Sequence, residues 1–371
     1  GDFDGFGVPG WGWHDVLEHF RAIETDVDFD GPAHGDSGPI LVRRTREMTG
    51  TTERFIAAAE RSGFERIADL NDSAAQPLSG VGAVPLNIVD GVRNGPGAAY
   101  LIPALARANL TLIARTRAVR LRFDGATAVG VDAVGPDGQA TFTGDRIVLC
   151  AGSIESAHLL MLSGVGEEDM LRAVGVPAVA PLPVGTSFSD HPEWVLPTDW
   201  TVAPGRPVLE AVLHTADGLE VRPYTGGFVA MTGDGTAGHP DWPHIGVALM
   251  RPKARGRLTL VSQDTGVSPS IEHRYDSEPD DVARLRRGAE LARELAGAAA
   301  DVGPPAWSTS QHLCGTAPMG TDDRAVVDYR CRVHGIDNLW VIDGSILPAI
   351  TSRGPHATIV MLGHRAAEFV Q

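Results

Sequence analysis

Apolar positions recur at helical spacing near both ends of the chain and alternate through much of its middle. Trp11, Trp13, Leu17, Phe20 and Ile23 predict an amphipathic helix over 13–24, and Phe55, Ile56 and Ala59 predict another over 52–62. A short helix is expected over 98–108. From Asn109 the period changes to two. Residues 110–114 read as a strand, and 118–123, 128–134 and 139–143 read as a meander turning at Asp124-Gly125 and Pro136-Asp137-Gly138. Arg146-Ile147-Val148-Leu149-Cys150 reads as a fully apolar strand that runs into Ala151-Gly152-Ser153 and a helix over 154–162. A second such strand, Asn338-Leu339-Trp340-Val341-Ile342, stops at Asp343-Gly344-Ser345. Between them, segments such as 245–249 and 256–260 predict an antiparallel sheet with one apolar face. A helix over 280–299 turns Leu285, Ala289, Leu291, Ala292 and Leu295 inward and leaves its charges in solvent. The pattern predicts an α/β protein.

Composition narrows the function classes. The 371 residues suffice for one to three domains, and 43% hydrophobic with 21% charged content is that of a soluble globular protein. A net charge of −16 disfavours nucleic acid and anionic membrane surfaces as partners. No apolar run is long enough for a transmembrane segment, and Gly1-Asp2-Phe3-Asp4-Gly5 has no leader-like pattern, so a cytoplasmic protein is expected. Cys150, Cys314 and Cys331 are too scattered for a disulfide framework or zinc site and are expected to be small core residues.

Three motif-like strings are set aside. Gly5-Phe6-Gly7-Val8-Pro9-Gly10 matches G-x-G-x-x-G, but it lacks a preceding strand and Pro9 interrupts it. Residues 31–39 read as a surface connector with a solvated His34. Asp190-His191 reads as a structural turn, because one adjacent pair without further spaced ligands is poor evidence for a metal. No metal is expected.

Two histidines carry candidate chemistry. His312 stands in Gln311-His312-Leu313-Cys314-Gly315-Thr316, and His356 in Arg353-Gly354-Pro355-His356-Ala357-Thr358. They flank a strand whose carboxyl end delivers Asp343-Gly344, the place where α/β proteins bind ligands. Histidine moves protons near neutral pH, so the pair could deprotonate a hydroxyl and orient it for a redox step. Gly152, between a strand and a helix N-terminus, lets backbone approach a nucleotide.

These stretches resemble the glucose–methanol–choline oxidoreductases, FAD-dependent alcohol oxidases and dehydrogenases. The resemblance runs through His312 to Gly320, Val326-Val327-Asp328, Leu339 to Pro348 and His356-Ala357-Thr358, and through Gly152-Ser153-Ile154-Glu155-Ser156-Ala157-His158 to Gly166. Val184-Gly185-Thr186-Ser187-Phe188-Ser189-Asp190-His191-Pro192 and Arg251 to Gly256 follow family patterns with substitutions at Ser187, Phe188 and Ala254. The resemblance implies a two-domain flavoprotein. Its discontinuous FAD-binding domain comes from 98–190 and 307–371; 1–97 and 191–306 form mainly the substrate domain with an antiparallel sheet. It implies His312 as base and His356 as hydrogen-bond donor to the substrate oxygen. Ala118 and Val119 are expected near adenine, with Ala151, Gly152, Asp343, Gly344, His356, Ala357 and Thr358 as further cofactor contacts.

The family begins with a βαβ unit carrying G-x-G-x-x-G, which is not in this sequence. Truncation at the N-terminus is therefore expected, with an exposed apolar sheet edge and poor solubility. The acceptor is left open among oxygen, a quinone and a protein. Residues 80–93 and the short substrate part also resemble the subgroup associated with mycofactocin, which implies a reduced carrier as donor. A hydroxynitrile lyase-like flavoprotein and a non-catalytic remnant unable to hold FAD are the alternatives.

Overall fold

The computed structural model describes residues 1–72, 79–201, 206–227, 243–297 and 303–370. Ile147–Leu149 and Leu339–Val341 pair in parallel, Val148 opposite Trp340, so both apolar runs end on the same edge. The helix Gly152–Leu162 follows the first strand and a 3-10 turn, Gly344–Ile346, follows the second. The meander is Arg117–Asp124, Thr127–Gly135 and Gly138–Thr143, antiparallel throughout. Its turns use Gly125 and Gly138, both at positive φ, where a Cβ would be strained. A β-bulge falls between Ala118 and Arg120, leaving Val119 out of the ladder.

A seven-stranded sheet forms the other half. Its strands run in the order Ala306–Thr309, Pro192–Pro197, His244–Leu249, Leu219–Tyr224, Ala211–His214, Gly80–Ala83 and Arg66–Ile67. Neighbours are antiparallel except for the last pair. The helices Gly50–Arg61 and Pro279–Ala296 cover one face through Phe55, Ile56, Leu285, Ala289, Ala292 and Leu295, which pack with Leu213, Val221, Ile245 and Val247. Period two then puts Glu220, Arg222 and Tyr224 on the opposite face.

A separate core gathers Leu149, Leu160, Val341 and Met361 with residues from the N-terminal segment. The helix Trp13–Ile23 belongs here: Val16 and Ile23 join this core, and the helix packs along His356–Ala366.

Several expectations need correction. Residues 110–114 form no strand; they find no ladder partner among the described residues, and Leu110, Leu112 and Ile113 are exposed. The helix expected over 98–108 shortens to a π-turn, Gly97–Leu101, and one turn, Ile102–Ala104. Asp281 is not on a solvated helix face. It is fully buried and accepts hydrogen bonds from the N–H groups of Lys253 (2.7 Å) and Ala254 (2.9 Å). Cys150 is exposed, unlike Cys314 and Cys331. Val148 is 38% exposed, since its strand has only one partner among the described residues and its other edge is open. Ala298 and Ala299, the end of the helix expected over 280–299, lie outside the described residues.

Candidate active site

The pairing of Pro192–Pro197 with Ala306–Thr309 decides where the site forms. Pro192 lies opposite Thr309, so the residues just before one strand meet those just after the other. Ser310 N–H donates to the His191 carbonyl (3.1 Å), and Gln311 turns the chain at φ 60°. Asp190 clamps this junction. Its Oδ1 accepts from the backbone N–H of His191 (2.8 Å) and of His312 (2.9 Å). Its Oδ2 accepts from the Tyr275 hydroxyl (2.6 Å) and the Thr309 hydroxyl (2.6 Å). Burial and the adjoining Asp190 raise the Tyr275 pKa, so its phenol stays protonated and remains a donor.

The clamp sets two imidazoles edge to edge. His191 Nδ1 lies 2.9 Å from His312 Nδ1, and His191 Nε2 lies 2.9 Å from the Thr351 carbonyl oxygen. His191 is fully buried and His312 half-buried. Burial, reinforced by the Arg222 guanidinium, pushes the His191 pKa down to about 4. Burial, Arg222 and His191 push that of His312 down to about 2. Both rings are therefore neutral at physiological pH, the state a proton acceptor needs. The opposite edge of His312 faces Gly354, where a Cβ would stand 3.5 Å from Nε2. His312 Nε2 has no hydrogen-bond partner among the described residues.

Arg222 rises from the sheet face opposite the helices. It donates to Glu220 (2.6 Å), Glu193 (2.9 Å) and the Ser310 hydroxyl (2.7 Å). Its charge reaches His312, where Glu220 opposes it. Nothing in the sequence pattern marks Arg222. For Asp190 and His191 the adjacent Asp-His pair is the available signal, and by itself it indicates only a turn. The structural role of Asp190 holds, but His191 also reaches the candidate base.

The remaining expected residues fall into two places. His356 and Ala357 open the helix His356–Ala366 and are exposed, with Thr358 buried behind them. Gly354, two residues earlier, packs on His312, so this helix N-terminus adjoins the histidine pair. Asp343 and Gly344 lie at the strand ends. Asp343 Oδ2 accepts from Gly152 N–H (3.0 Å) and the Ser156 hydroxyl (2.5 Å), and Oδ1 from Ser345 N–H (2.9 Å). Both carboxylate oxygens are thus taken by protein donors. The Asp343 carboxylate joins the two strand-end loops, and Gly344 is confined by Ser153, 2.7 Å from where a Cβ would stand. Ala118 and Ala151 line one open groove of about 250 Å³ with Arg117, Glu155, His158, Leu159 and Leu162.

These surfaces fit FAD. Gly152 adopts φ 85° with nothing within 4 Å of a Cβ position, Ala118 and Ala151 line the open groove, and the N-terminus of His356–Ala366 follows two residues after Gly354, which packs on His312.

His34 is not solvated. Its Nδ1 lies 3.3 Å from Asp26 and its Nε2 2.9 Å from Asp69, while Arg44 ion-pairs with both acids. Glu24, Asp26 and His34 offer ligand atoms within 4.8 Å of one another, but Arg44 already supplies the countercharge.

Comparison with known proteins agrees with this geometry. Residues 4–193 and 252–363 match the GMC oxidoreductase family. The chain belongs to that family. It is 38% identical to an uncharacterized GMC-type oxidoreductase in the thcA 5′ region of Rhodococcus erythropolis, over 96% of this chain and 76% of the relative. It is 30% identical to an oxygen-dependent choline dehydrogenase of Brucella anthropi, over 98% of this chain and 76% of that one. The structure of pyridoxine 4-oxidase from Mesorbium loti superposes with a TM-score of 0.85 at 27% identity, covering 99% of this chain and 79% of its own. Formate oxidase shares the fold, with a TM-score of 0.82 at 21% identity, covering 100% of this chain and 80% of that one. The protein is a GMC-type flavoprotein oxidoreductase that uses FAD and acts on CH–OH donors. No helix among the described residues is long and apolar enough to cross a membrane.

Proposed function

We propose that this enzyme oxidises a small alcohol to the carbonyl compound, with His312 as the base. The observation that supports this most is the unpartnered Nε2 edge of a neutral His312, facing Gly354 beside the N-terminus of His356–Ala366. FAD, when bound, supplies the acceptor for the hydride that leaves the carbinol carbon. The chain's own residues handle the proton. The hydroxyl proton passes to His312 Nε2, giving an imidazolium, while the oxygen keeps the bonding pair and becomes the carbonyl oxygen as the C–H pair departs. His356, in this reading, donates a hydrogen bond to that oxygen. We assign cofactor contact to Ala118 and Val119 on the adenine side, to Ala151 and Gly152, to the Asp343-Gly344 turn, and to His356, Ala357 and Thr358. In the same reading, 98–190 and 307–371 hold the cofactor and the seven-stranded sheet faces the substrate.

The donor class extends to a reduced redox carrier such as mycofactocin, a reading that rests on the short substrate domain together with residues 80–93. Anaerobic mixing of the flavin-loaded enzyme with choline, pyridoxine, simple primary alcohols and reduced mycofactocin tests it. Loss of visible flavin absorbance with one of them identifies the donor. No bleaching with any alcohol would favour a hydroxynitrile lyase-like flavoprotein instead.

A further inference from the structure

We infer that His191 is a positioning residue that fixes the tautomer of His312, holding the lone pair on Nε2 where the substrate hydroxyl must lie. Protons along the hydrogen-bonded chain can be counted from its fixed acceptor. The Thr351 carbonyl can only accept, so the 2.9 Å contact requires a proton on His191 Nε2. His191 is fully buried next to the Arg222 guanidinium and stays neutral. A neutral imidazole carries one N–H, which leaves His191 Nδ1 as an acceptor. The 2.9 Å contact between the two Nδ1 atoms then needs a proton on His312 Nδ1, which donates to His191. His312 Nε2 is left bare, on the edge facing Gly354.

The arrangement holds its orientation without a carboxylate on the ring. Asp190 acts on the backbones of both histidines rather than on either ring. A buried carboxylate would draw the His312 proton toward itself; the neutral His191 fixes the direction of the bond while leaving no net charge on the pair. After proton transfer the His312 imidazolium still donates through Nδ1, so the same bond serves both states. Thr351 is held in turn: its hydroxyl donates to the Arg353 carbonyl (2.8 Å), and the next residue, Ser352, donates through its N–H and hydroxyl to Asp2.

This inference rests on the reading of His312 as the base, and the test separates the two. The first readout needs no variant: nitrogen NMR of the enzyme labelled with 15N-histidine is expected to find His312 unprotonated at Nε2 and protonated at Nδ1. Next, His191→Phe removes the acceptor and His191→Asn keeps an acceptor oxygen near the place of Nδ1. His191→Phe should mix the His312 tautomers and lower kcat for alcohol-driven flavin reduction by about a hundredfold, with KM changed by less than about threefold. His191→Asn should recover most of the lost rate. A proton on His312 Nε2 in the wild-type enzyme, or unchanged tautomer and kcat in His191→Phe, overturns the positioning role while His312→Ala still abolishes turnover. Turnover that survives His312→Ala overturns the base role and the positioning role together.

Discussion

The setting of His312 comes from three neighbours, each acting on a different part of the residue. Asp190 holds its backbone, His191 engages Nδ1, and Arg222 with burial keeps the ring neutral. His312→Ala should keep its flavin yet reduce it about 10²- to 10⁴-fold more slowly, read by anaerobic stopped-flow absorbance. Asp190→Asn replaces an acceptor of four hydrogen bonds with a group that turns N–H donors toward donors. It should lower stability by about 2–3 kcal/mol, measured by denaturant unfolding. The sequence brought His312 and His356 forward because their motifs are distinctive. It undervalued His191 because adjacency to Asp190 speaks only of the turn; the 2.9 Å contact to His312 arises from strand pairing between distant segments.

Among the elements, the most legible were those with an unbroken period. The meander, the paired apolar strands at 147–149 and 339–341, and the helices Trp13–Ile23, Gly50–Arg61 and Pro279–Ala296 all follow patterns visible in the chain. Residues 110–114 had the composition of a strand but lacked a partner, and pattern alone carries no information about partners. His34 and Asp281 were misplaced for a related reason: a charged residue in a polar run is buried when distant donors or countercharges meet it, as Arg44 and the Lys253–Ala254 backbone do. The Asp343 clamp ties the carboxyl ends of both parallel strands to Gly152 and Ser156. Asp343→Ala would orphan these donors, and we expect a loss of about 2–4 kcal/mol in stability together with weaker FAD retention, followed by flavin fluorescence on dilution.

At the scale of the whole molecule, buried neutral histidines make stability pH-dependent. The pKa values of His191 and His214 fall to about 4 and that of His312 to about 2, all mainly through burial. The native state then binds fewer protons than the unfolded chain, whose histidines titrate near pH ~6.5. Their contribution is complete above that value and is lost as pH falls toward 4, with His191 alone worth about 3 kcal/mol. Unfolding free energies measured across pH 7 to pH 4 should decline accordingly; a flat profile would mean that these rings are protonated inside the fold. The open strand edge at Val148 and the exposed apolar residues Ile102, Leu105, Leu112 and Ile113 predict concentration-dependent association, which light scattering can follow.

In the proposed function, a neutral His312 meets the alcohol beside FAD. Anaerobic reduction of the flavin-loaded enzyme by an alcohol, compared between the wild type and His312→Ala, is the measurement to make. Visible flavin absorbance should be lost in the wild type and reduction near-abolished in the variant, with flavin content equal. Equal reduction rates in both would rule out His312 as the base.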